Sequence, residues 1–70
     1  MNNEKEFLKN LLNVDIELQK ALNILENTYN LSKYIVNKEY NAYAINKVIA
    51  IKSLIKDTID TYYIQQNKRG

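Results

Sequence analysis

The sequence predicts an all-α protein, and three observations carry that expectation. Proline is absent and Gly70 is the lone glycine among 70 residues, so the chain lacks the two residue types that make tight turns and β-rich folds practicable. Two long runs repeat their apolar residues at helical steps of three and four. At 46% hydrophobic and 26% charged, the composition is that of a chain that folds rather than one that stays disordered.

The first helix is expected over about residues 4–28. Asn3-Glu4-Lys5-Glu6 has the form of a capped helix start, with acids in the first turn, where the helix dipole favours negative charge. From there Phe7, Leu11, Val14, Leu18, Ala21 and Leu25 fall on one stripe. The second helix is expected over about residues 33–66. Its stripe is Ala44, Val48, Ile51, Ile55, Ile59 and Tyr62, and it fades in Gln65-Gln66-Asn67-Lys68-Arg69, where basic residues suit a helix C-terminus. Between the two, Asn27, Thr28, Asn30 and Ser32 have side chains that compete with the helix backbone for hydrogen bonds. The reversal is therefore placed at about residues 28–32, with Ser32 or Asn30 capping the second helix. A weaker cluster at Asn37 and Asn41 leaves a short middle helix, and so a three-helix monomer, as the alternative.

A single domain of this size buries only about 60% of the surface its unfolded chain exposes, so an isolated core is marginal. With no cysteine and no histidine, disulfides and the usual zinc sites cannot supplement it. Self-association can. Each helix carries a second apolar line beside its main stripe: Leu8, Leu12 and Ile16 on the first, and Tyr43, Ala50 and Leu54 with Thr61 on the second. A two-helix hairpin cannot bury both lines of both helices. An antiparallel hairpin that dimerises into a four-helix bundle gives each helix two neighbours and accounts for both.

No cofactor, metal or catalytic constellation is expected, because nucleophile–base pairs, metal-ligand sets and glycine-rich phosphate loops are all missing from the sequence. No apolar run reaches the roughly 18 residues of a membrane span. Acids stand where a secretory leader would be basic, so the expected setting is the cytoplasm, without membrane contact. A formal charge of +2 is small for a nucleic-acid footprint unless clustered. A nucleic-acid-binding hairpin is nonetheless an alternative, because Lys5, Lys9 and Lys20 share an outer face of the first helix and the tyrosines of residues 29–43 could stack on bases.

One polar constellation stands out on the second helix, where Asn46, Ser53, Asp57 and Asp60 project to one side. IELQKALNIL (16–25) followed by SLIKDTIDTYY (53–63) resembles the small helical-hairpin phosphatases that act on response-regulator aspartates in sporulating bacteria. Their second helix carries a Ser-Gln-x-Leu-Asp signature. Ser53 and Asp57 match its ends, Leu54 and Lys56 replace the glutamine and leucine, and the linker is longer than usual. The resemblance covers about half the chain, and it implies that Asp57 orients an attacking water at a partner's phospho-aspartate.

The leading expectation is a non-enzymatic interaction or regulatory protein, homo-oligomeric, that binds or occludes a protein partner. Tyr34, Tyr40 and Tyr43 offer more aromatic area than a turn requires, and aromatic residues are enriched at protein interfaces.

Overall fold

The computed structural model describes residues 3–69. Two helices, α1 (Asn3–Leu31) and α2 (Ile35–Arg69), run antiparallel and pack along their whole length. The result is a rod measuring 54 × 18 × 12 Å. Its radius of gyration of 16.2 Å compares with the roughly 11 Å of a compact globule of the same length.

The reversal lies at residues 32–34, later than the expected 28–32, because the polar residues before it do not break the helix. Thr28 Oγ1 donates to the carbonyl of Ile24 at 2.8 Å, so its hydroxyl is satisfied within α1 rather than competing with it. The end of α1 closes where the Ser32 amide donates to the carbonyls of Thr28 (3.1 Å) and Tyr29 (3.3 Å). Neither Asn30 nor Ser32 caps the next helix. Ser32 Oγ instead donates to the carbonyl of Tyr34 (3.2 Å), and that carbonyl also accepts the first backbone bond of α2, from Lys38 N (3.1 Å). With Asn37 and Asn41 inside α2, the three-helix alternative is set aside.

The seam between the helices follows a seven-residue repeat on both. Leu8, Leu11, Asp15, Leu18, Leu22 and Leu25 face inward from α1. Asn41, Ile45, Val48, Lys52, Ile55, Ile59 and Tyr62 face inward from α2. Alternating steps of three and four average 3.5 residues, the period of a left-handed coiled coil. The expected stripes differ from this at five places, where Leu8, Asp15, Leu22, Ile45 and Lys52 stand inward of Phe7, Val14, Ala21, Ala44 and Ile51. Val14 and Ile51, assigned inward by their apolar character, are 42% and 47% exposed, while the charged Asp15 and Lys52 next to them occupy the seam. Phe7 is likewise displaced outward.

Asp15 and Lys52 hold that place because they neutralise each other. Lys52 Nζ lies 2.8 Å from Asp15 Oδ1, with side chains 24% and 37% exposed respectively. At the open end Gln66 Nε2 donates to Glu4 Oε2 at 3.0 Å, and the Phe7 and Tyr62 rings meet at 6.2 Å. Toward the turn the seam polarises again, at Asn41, whose Oδ1 is buried without a partner among the described residues.

Candidate functional site

Among the described residues only Leu22 is buried, at 8% exposure, and none is fully buried. Apolar side chains are spread around α2 rather than gathered on one side of it. Many therefore lie on surfaces that α1 does not cover, and those surfaces are the candidate sites.

The seven-residue register sorts them. One broad face of the hairpin is built from Phe7, Val14, Ala21 and Thr28 of α1 beside Asn37, Ala44, Ile51, Thr58 and Gln65 of α2. No residue in this set is ionisable. Two shallow grooves lie on it: one places Phe7 against Leu54, Thr58 and Gln65 with Asp57 at its edge, the other places Thr28 against Asn37, Tyr40 and Ala44. The opposite broad face holds Leu12 and Gln19 of α1 with Ala42, Ile49 and Tyr63 of α2, and it carries charge at Lys5, Glu26 and Lys56.

The residues expected at an oligomer contact do not come together on one surface. Leu8 lies in the seam, half-buried within the single chain. Leu12 and Ile16 are exposed on the charged face and its margin. Leu54 borders the charge-free face, and Tyr43 and Ala50 project from the outer side of α2. No flat contact covers Leu12 and Leu54 together. Sequence reasoning missed Val14 and Ile51 as surface residues; the signal was the unbroken step pattern through Asp15 and Lys52, opposite charges at equivalent places in the two repeats.

The aromatic expectation concerns the turn end of α2. Tyr34 and Tyr40 are 72% and 74% exposed, and Tyr43, Leu31, Ile35 and Val36 are exposed around them. Two lysines partly cover this end: Lys38 Nζ sits 5.3 Å from the centre of the Tyr29 ring, and Lys47 Nζ sits 5.1 Å from that of Tyr43. Such contacts contribute about 0.5–1 kcal/mol at exposed sites.

Ser53 and Asp57 are exposed one turn apart on the outer side of α2. Leu54, exposed beside them, offers no donor or acceptor with which to hold a water. Among the described residues, no group of three or more acidic, histidine or cysteine side chains converges to hold a metal ion, and no helix is long and apolar enough to cross a membrane. Asp57→Ala is expected to change stability by less than about 0.5 kcal/mol, as for other exposed polar substitutions, which urea unfolding would check. Dephosphorylation of a phosphorylated response regulator by the wild type, lost in that variant, would favour the phosphatase reading.

No protein-family model matches this chain, and no curated protein or solved structure matches it. The functional reading rests on the chain's own surfaces.

Proposed function

We infer that the protein is a helical interaction module, a binding protein rather than an enzyme. It completes its core against further copies of itself and presents the tyrosine-rich end of α2 to a protein partner that it regulates by binding or covering. One observation carries this reading: the hairpin has almost no interior. A compact chain of 8.3 kDa exposes about 4,600 Å², whereas this one exposes 5839 Å². The excess, on the order of 1,200 Å², exceeds the roughly 800 Å² that each partner buries in a standard interface.

The tyrosine end suits a second, different partner. Tyr34, Tyr40 and Tyr43 combine large apolar rings with hydroxyls already in water, so binding requires ordering few rotatable bonds.

Sedimentation and urea unfolding over a wide concentration range test the first half. Stability is expected to rise with protein concentration, because association draws the equilibrium toward the folded state. A wild type that stays monomeric, with unfolding independent of concentration, would remove self-association. For the second half, the variant Tyr34→Ser/Tyr40→Ser/Tyr43→Ser should keep its helices and its oligomeric state yet lose the proteins that the wild type captures from host extract. Capture of the same proteins by the variant would place the partner surface elsewhere. A steep loss of nucleic-acid affinity with added salt would support the nucleic-acid alternative.

A further inference from the structure

We propose that the charge-free broad face is covered by the same face of a second copy, with the two-fold axis running along the rod so that both turns lie at one end of an all-antiparallel four-helix bundle. This deepens the self-association reading above and rests on it. Area and charge select the occupant and its orientation.

The broad faces measure about 54 × 18 Å, which offers on the order of 900 Å², enough for a standard interface. Of the two, only the face bearing Phe7, Val14 and Ile51 has no charged residue in its two central rows, with Asp57 at the edge of its groove beside Phe7, and these three side chains are 49%, 42% and 47% exposed. A second copy of the chain brings an equally apolar surface to it without burying an unpaired charge, whose cost would be several kcal/mol.

The register supplies layers that interdigitate. By the register that the Asp15–Lys52 pair sets, Val14 stands level with Ile51 and Ala21 with Ala44, while Phe7 lies among Thr58, Tyr62 and Gln65. Doubled by the two-fold axis, the first pair becomes a Val-Ile-Val-Ile core layer. The second becomes an all-alanine layer that permits close approach.

Charge decides between the two ways of stacking this face on itself. Glu17 and Lys47 stand at opposite margins, one on each helix, and the seam register places them within about 5 Å of the same level along the rod. With the axis along the rod, α1 lies over the second copy's α2, and each Glu17 meets a Lys47. With the axis across the rod, α1 lies over α1 and like charges oppose. Both arrangements make every neighbouring helix antiparallel, so the pairing of charge selects between them. Within one chain these groups make only exposed contacts, Glu17 with Lys20 at 3.3 Å and Lys47 over Tyr43, and both contacts are weak.

The test uses the full chain, which has no native cysteine. A spin label on Lys33→Cys in the otherwise wild-type protein should report a distance of roughly 20 Å, two helix-packing distances, between the turns of the two copies. A distance approaching the 54 Å rod length in a dimeric protein would overturn the orientation and leave self-association standing. A monomeric wild type would overturn both. By sedimentation, Val14→Glu should weaken association roughly a hundredfold or more, whereas Leu12→Glu, on the opposite face, should leave it nearly unchanged. The reverse pattern would put the contact on the wrong face. Glu17→Lys and Lys47→Glu should each weaken the dimer several-fold, and combining them should restore it; failure to restore it would remove the charge pairing.

Discussion

Leu22→Ala is expected to abolish most of the protein's cooperative unfolding. Leu22 alone among the described residues is buried, and it lies in the seam between Leu18 and Leu25, so no exposed neighbour can take over its contacts. Truncating a buried leucine costs about 2–5 kcal/mol, through lost burial and the cavity left behind. A domain of 70 residues has a total stability of roughly 4–10 kcal/mol, so one substitution removes a large share of it. Far-ultraviolet circular dichroism against urea would show a midpoint moved toward zero. Leu22→Met, nearly equal in volume, should stay within about 1.5 kcal/mol of the wild type. Leu31→Ala at the exposed end of α1 should stay within about 0.5 kcal/mol. Equal losses at Leu22 and Leu31 would mean that the seam is not where stability resides.

Replacing Asp15 and Lys52 together by leucine should have the opposite sign. Taking a carboxylate and an ammonium partly out of water carries a desolvation cost that their attraction only partly repays. Buried pairs exchanged for apolar residues have given gains of about 1–4 kcal/mol. Here the side chains keep 37% and 24% of their exposure, so the gain should fall near the lower end. Either single replacement strands the remaining charge in the seam and should destabilise; Asp15→Leu should be the milder, because the long Lys52 stem can carry its head to solvent. The pair's contribution is register. In its absence the leucine-rich seam of α1 can slide against the isoleucine-rich seam of α2, and the double variant should give a more stable protein with broader association behaviour by sedimentation. Thermal unfolding of the two single variants and the double completes the cycle, and a double variant less stable than wild type would show that the pair contributes net energy.

These two substitutions also mark where the sequence was legible. The helices could be read directly, because composition and periodicity are local properties: Asn3 to Glu6 opens α1, and the basic run at Lys68 closes α2. Which side chains face the partner helix could not be read by seeking apolar residues alone. Val14 and Ile51 were the hydrophobic choices, but at Asp15 and Lys52 two opposite charges satisfy each other and keep the repeat in step. The same holds for the turn, where Thr28 answers its own helix at Ile24 and leaves the reversal to Ser32. The position of Leu12 relative to Leu54 depends on the pairing of residues far apart in sequence, which no single-helix pattern contains.

The antiparallel pairing also dictates an order of assembly. Every contact across the seam joins residues whose numbers sum to nearly the same value, from Tyr29 and Lys38 near the turn, through Asp15 and Lys52, to Glu4 and Gln66 at the open end. The loop that must close to form each contact therefore lengthens steadily away from Ser32. Closure entropy rises by only about 0.6 kcal/mol for each doubling of loop length, and each contact already made shortens the next search. A nucleus at the turn, reaching Leu25 and Ile45, can grow toward the open end one layer at a time. The first turn of α1 and the last turn of α2 are then the last to join and the first to open, and amide exchange should run as a gradient along the rod.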